Sequence, residues 1–150
     1  MALPVGSPAP EFSLARHDGV PFTQEDLRGE TTVLVFYPFA FSPVCVDQLA
    51  VYNEVLEDFT AEGATLYAVS CDATWSQQAF KAQLNVDIEQ LSDFEPKGRA
   101  SAALGVLHPG GFSERALLIF GPDAVLRWSY TGDTPDDLPG ANLIFDALAA

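Results

Sequence analysis

The run Thr31-Thr32-Val33-Leu34-Val35-Phe36-Tyr37 is apolar or β-branched at every position instead of alternating with polar residues. A strand of this kind needs cover on both faces, which the centre of a layered sheet provides. Pro38 ends it, because proline has no N–H for a ladder. Beyond it, Cys45, Leu49, Tyr52, Leu56 and Phe59 recur at spacings of 4 and 3. They draw one apolar stripe down a helix expected to run to Gly63, with Asp47, Glu54, Glu57 and Asp58 on the other side. Thr65 to Cys71 then repeats the buried-strand pattern.

The remaining segments extend this alternation. Thr74 followed by Gln77 reads as a capping box opening a helix through Phe80 and Leu84. Ile88–Leu91 is expected to be a short strand, Lys97–Leu104 a short helix ended by Gly105, and Leu107–Ser113 a loop. Arg115–Phe120 and Val125–Tyr130 flank Gly121-Pro122-Asp123-Ala124, a connection short enough for an antiparallel hairpin. A last helix follows Pro139. Ahead of the central strand, Phe12–Ala15 reads as an edge strand or hairpin arm with its turn at His17-Asp18-Gly19, and Thr23–Asp26 as a capped turn that places Leu27 inward. The expected fold class is α/β and thioredoxin-like: a mixed central sheet, helices on both faces and an N-terminal extension. With 150 residues, 48% of them hydrophobic, a single domain over 1–150 is expected.

Charge narrows the function. Seven Lys plus Arg stand against 21 Asp plus Glu, a net charge of −14. That field repels phosphate backbones and anionic lipid surfaces, so nucleic-acid and membrane partners are not expected. No run has membrane-spanning length, and Met1–Pro8 carries neither a basic segment nor an apolar core marking it for secretion. The two cysteines form no disulfide framework, which suits a reducing cytoplasm. With two histidines and two distant cysteines, no metal spacing is present, and neither metal nor cofactor is expected.

Cys45 is the candidate reaction centre. It enters the first turn of a helix, where unpaired backbone N–H groups favour a thiolate. Among seven basic residues, Arg115 is the best placed to add a permanent charge, since it opens an apolar strand; an exposed strand-end charge is the alternative. Ser42 offers a hydroxyl three residues earlier, or simply an N-cap. Phe39 and Phe41 flank the site as an apolar mouth or as a dimer contact. Trp75 and Trp128 read as core or interface residues.

The string Pro38-x-x-x-Ser42-x-x-Cys45 resembles the peroxiredoxin active-site signature, and Phe41-Ser42-Pro43-Val44-Cys45 resembles its one-cysteine version. Val5–Phe12, Leu91-Ser92-Asp93 and Arg115–Ile119 resemble further landmarks of that family, in family order. Within it, the chain is most similar to the alkyl hydroperoxide reductase E type. The resemblance implies a thiol peroxidase that reduces hydrogen peroxide and organic hydroperoxides. Cys45 would become a sulfenic acid, Pro38 would shield the site, and Ser42, Arg115 and the N–H groups of Val44 and Cys45 would hold the peroxide. Homodimers or higher homo-oligomers are the family expectation. Two departures stand out: Ser42 replaces the commoner Thr, and Gln48 replaces the usual Glu. Cys71 is the only internal candidate for resolving the sulfenic acid, and a buried strand-end residue is the favoured reading of it. Reduction then falls to an external thiol: a low-molecular-weight thiol, a glutaredoxin-like protein or thioredoxin. The alternative function is a thioredoxin-like holdase or binding domain without turnover.

Overall fold

A computed structural model describes residues 3–149. Seven strands form one sheet: β1 (Ser13–Ala15), β2 (Pro21–Thr23), β3 (Thr31–Phe36), β4 (Ala64–Ser70), β5 (Glu89–Ser92), β6 (Ala116–Phe120) and β7 (Leu126–Thr131). Their order across the sheet is β2-β1-β5-β4-β3-β6-β7. β3 lies between parallel β4 and antiparallel β6, so the continuous apolar run occupies the interior of a mixed sheet. Among the described residues five α-helices accompany it: α1 (Pro43–Glu54), α2 (Leu56–Ala61), α3 (Thr74–Leu84), α4 (Arg99–Ala103) and α5 (Ala141–Ala149).

Alternation along the strands separates two cores. Val33, Val35 and Tyr37, with Leu117 and Ile119, face a cluster built from α1, α2, α3 and α5. Leu34 and Phe36, with Leu118 and Phe120, face a second cluster containing Leu104 near α4 and Phe12, Phe22 and Leu27 of the N-terminal extension. That extension is a β1–β2 hairpin followed by a 3-10 turn over Gln24–Leu27, whose capping box joins Thr23 and Asp26 as expected.

Two local expectations are corrected. The helix from Cys45 towards Gly63 breaks at Val55 (φ −112°, ψ 17°), giving α1 and α2. Val55 is β-branched and tolerates helical crowding poorly. The redirected α2 buries Phe59 fully against the Phe145 ring, 4.2 Å away, and leaves Leu56 half-buried. Nor do Thr74 and Gln77 form a capping box: Ala73 is the N-cap, which places Thr74 one residue too far into the helix. Gln77 turns inward instead, donating to Ser70 Oγ at 2.9 Å and to the Leu91 carbonyl at 2.8 Å. Elsewhere strand and helix limits differ by a residue or two, with Arg115 standing just ahead of β6.

Candidate active site

The chain leaves β3 through buried Tyr37 and Pro38, then turns over Phe39-Ala40-Phe41 into α1. Three residues fix this turn. The Ala40 N–H donates to Asp72 Oδ2 at 2.8 Å, tying it to the β4–α3 connection. Ser42 donates from both N–H and Oγ to the Phe39 carbonyl, at 3.4 and 3.1 Å. Phe41 sits at φ +70°, a left-handed conformation costly for a non-glycine residue, and its ring lies 5.1 Å from that of Phe80.

Ser42 is the N-cap of α1 by backbone, with Pro43 at N1, but its hydroxyl bonds no N–H of the first turn. The simple capping role is therefore not what it plays. Helix geometry leaves the N–H groups of Val44 and Cys45 without intrahelical partners, so they are available beside the fully buried sulfur.

Strand register brings Arg115 to that sulfur. Phe36 pairs with Ala116, which sets Arg115 level with the end of β3 and gives its side chain the orientation of Leu117 and Ile119, towards α1. A one-residue slip would send it to the opposite face. Arg115 is 2% exposed. Its Nη2 donates to Cys45 Sγ at 3.1 Å, its Nη1 to Gln48 Oε1 at 2.6 Å and its Nε to the Pro135 carbonyl at 2.6 Å. Gln48 Nε2 lies 3.4 Å from Tyr52 Oη, which donates to the Pro139 carbonyl at 2.6 Å. Burial pushes the Tyr52 phenol up to about 12, against the opposing pull of Gln48 and of the Arg115 charge.

Cys45, Arg115, Ser42, Val44 and Pro38 thus gather where β3 meets α1. Phe39 and Phe41 form the rim, 45% and 46% exposed, and the Phe39 ring packs 4.9 Å from Phe112. Cys71 belongs to a different constellation: its sulfur lies 3.5 Å from Ser113 Oγ, which is 2.9 Å from Ser101 Oγ. Burial pushes the Cys71 thiol up, outweighing the Ser113 hydrogen bond, while the Asp93 charge adds to the rise. Trp75 is 86% exposed on α3 and so is not a core residue, whereas Trp128 packs against the α1-side cluster. The roles of Gln48, the Tyr52 hydroxyl and the Pro135 and Pro139 carbonyls escape periodicity. Gln48 is polar and falls outside an apolar stripe, although its place three residues after Cys45 puts it on the same helix face.

A thioredoxin-like sheet carrying a buried cysteine at a helix start, within hydrogen-bond distance of a buried arginine, is an arrangement suited to thiol redox chemistry. The sequence profile of the AhpC/TSA family matches residues 5–129, and the chain belongs to that family of peroxiredoxins. A peroxiredoxin of the rubredoxin operon of Clostridium pasteurianum is 32% identical over 145 residues, covering 86% of this chain and 79% of the relative. Alkyl hydroperoxide reductase E of Mycobacterium tuberculosis is 29% identical over 150 residues, covering 99% and 97%. Among solved structures, Mycobacterium tuberculosis AhpC superposes with a TM-score of 0.86 at 21% identity, covering 100% of this chain and 93% of its own, a likeness of fold.

Proposed function

We propose that Cys45 is the peroxidatic cysteine of this thiol peroxidase, with Arg115, Ser42 and the N–H groups of Val44 and Cys45 as its peroxide-binding groups. As a peroxiredoxin the protein reduces hydroperoxides at the expense of thiols. The observation that carries the assignment is the 3.1 Å contact between the buried Arg115 guanidinium and Cys45 Sγ. The Cys45 thiolate, facing the guanidinium, attacks one peroxide oxygen. The O–O bond breaks, the sulfur becomes a sulfenic acid, and the other oxygen leaves as alcohol or water after taking up a proton. Negative charge grows on the departing oxygen, where the helix-start N–H groups and Arg115 stabilise it. Pro38, buried at the strand end, keeps bulk water from the sulfur. The exposed rings of Phe39 and Phe41 suit the apolar part of an organic hydroperoxide.

Return of the sulfenic acid to thiol falls to an external thiol: a low-molecular-weight thiol, a glutaredoxin-like protein or thioredoxin. One thiol forms a mixed disulfide with loss of water, and a second releases Cys45. Cys71 stays outside the cycle, because burial keeps it protonated. A cytoplasmic homodimer built of single domains completes the proposal. It is supported by family membership and by both core clusters sharing one sheet.

The test is stoichiometric oxidation of the reduced protein, followed by tryptophan fluorescence, with Cys45→Ser as control. Hydrogen peroxide should oxidise Cys45 far faster than a free thiol, and dimedone should label Cys45 while Cys71 remains free. Reaction no faster than a free thiol would sink the assignment. An immediate Cys45–Cys71 disulfide in peptide mapping would sink the external-thiol cycle.

A further inference from the structure

Arg115 is gripped twice by the segment that follows β7. The Gly132 N–H donates to its carbonyl at 2.9 Å, and its Nε donates to the Pro135 carbonyl at 2.6 Å. A guanidinium is a planar fork, so a partner at Nε fixes the directions in which both Nη groups point. Here those groups reach Cys45 Sγ and Gln48 Oε1. The aim of Arg115 at the sulfur therefore depends on where the Pro135 carbonyl faces.

That carbonyl belongs to the central peptide of a turn. The Asp137 N–H closes Thr134-Pro135-Asp136-Asp137 by donating to the Thr134 carbonyl at 3.1 Å. Proline suits the second position of such a turn, and Asp136 at the third does not take a left-handed φ. Flipping the Pro135–Asp136 peptide would force it to take one, so the Asp136 side chain opposes the flip. One carboxylate ties the turn to the chain before it: Asp137 Oδ2 accepts the N–H groups of Asp133 at 2.8 Å and Thr134 at 3.3 Å. We propose that Asp137 is a positioning residue for peroxide reduction, its carboxylate bracing the turn that presents the Pro135 carbonyl to Arg115 and so aiming the guanidinium at Cys45. This rests on Arg115 acting at Cys45 as proposed above.

Charge alone predicts the opposite. Negative charge grows beside Arg115 in the transition state, so a carboxylate in the neighbouring segment opposes the reaction electrostatically, and its removal would quicken it. A brace acts the other way: its loss slows the reaction, and a neutral acceptor in the same place restores the rate. Asp137→Ala removes acceptor and charge together, whereas Asp137→Asn removes the charge and keeps an acceptor oxygen.

Oxidation of Cys45 by hydrogen peroxide, followed by stopped-flow fluorescence, should slow roughly ten-fold in Asp137→Ala, short of the about hundred-fold that an ångström of misplacement can cost. Asp137→Asn should recover most of that loss. With Arg115→Ala already in place, Asp137→Ala should add nothing, because a residue that acts through Arg115 then has nothing to aim. The Arg115 Nε–H signal in nuclear magnetic resonance, identified by its loss in Arg115→Ala, should exchange with solvent faster in Asp137→Ala than in wild type, and at the wild-type rate in Asp137→Asn. Asp136→Gly, which frees the central peptide to flip, should move both readings in the direction of Asp137→Ala, and it is the second variant should Asp137→Ala fold poorly by circular dichroism. Wild-type rate and wild-type exchange in Asp137→Ala would overturn the proposal. So would equal changes in Asp137→Ala and Asp137→Asn, or an undiminished loss from Asp137→Ala in the Arg115→Ala background. The Nε–H exchange needs no peroxide, so it decides whether Asp137 holds Arg115 even if the peroxidase assignment of Cys45 fails.

Discussion

A guanidinium only 2% exposed needs acceptors for its donors, and Arg115 finds them in two carbonyls and a sulfur. On the proposed mechanism, these contacts hold it beside the sulfur where the leaving oxygen would gather charge. Arg115→Ala should therefore retain the fold by circular dichroism yet slow Cys45 oxidation roughly a hundred-fold, the loss typical of one transition-state donor. An equally fast variant would remove Arg115 from the mechanism. From sequence, Arg115 stood out because few cations exist and this one opens an apolar strand. Its partners were harder to see. Gln48 was visible as a departure from the family pattern, but nothing local indicates that a glutamine will accept from an arginine 67 positions away. Cys71 shows the reverse: its burial at a strand end was legible, whereas the Ser113–Ser101 chain beside it was not.

At the scale of elements, α3 packs on the sheet through Phe80 and is hydrogen-bonded to it through Gln77. Gln77 Nε2 reaches Ser70 Oγ on β4 and the Leu91 carbonyl on β5, so its removal loosens a helix from two strands together. Gln77→Ala should cost about 1–3 kcal/mol in urea unfolding, through lost hydrogen bonds to buried groups. Thr74→Ala should stay within about 0.5 kcal/mol, because Thr74 is a first-turn residue rather than the N-cap. A larger loss for Thr74→Ala than for Gln77→Ala would restore the capping box that the spacing of these two residues suggests. Local pattern fails here by a single residue. The Thr23–Asp26 box, by contrast, forms as its spacing indicates. The difference is burial: Gln77 is turned into the core, where it donates to Ser70 Oγ and the Leu91 carbonyl, which no cap-to-helix spacing encodes.

For the whole molecule, the sheet separates the chemistry from half of the core. Leu104 lies in the cluster against α4, and Leu49 lies in the cluster that contains Cys45, one helical turn along α1. Both are fully buried, so Leu104→Ala and Leu49→Ala should each lose about 2–5 kcal/mol of stability. Under conditions where both remain folded, stopped-flow fluorescence should show slower Cys45 oxidation for Leu49→Ala and an unchanged rate for Leu104→Ala. Equal slowing would mean that packing beyond the sheet tunes the sulfur.

The sequence by itself determined most of the strands and helices, the Thr23 cap, and Cys45 at the mouth of α1. These depend on periodicity, turn residues and propensities acting over a few positions. Its family likeness also pointed to Pro38, Ser42 and Arg115. Tertiary structure alone decided that α1 ends at Val55, that Ser42 binds the Phe39 carbonyl, and that Arg115 reaches a sulfur 70 positions away. It decided too that Gln48 and the Pro135 carbonyl accept from that arginine, with Tyr52 and the Pro139 carbonyl behind Gln48. The physical reason is register: only when β6 lies on β3 with Ala116 opposite Phe36 does the buried guanidinium meet the groups that compensate it.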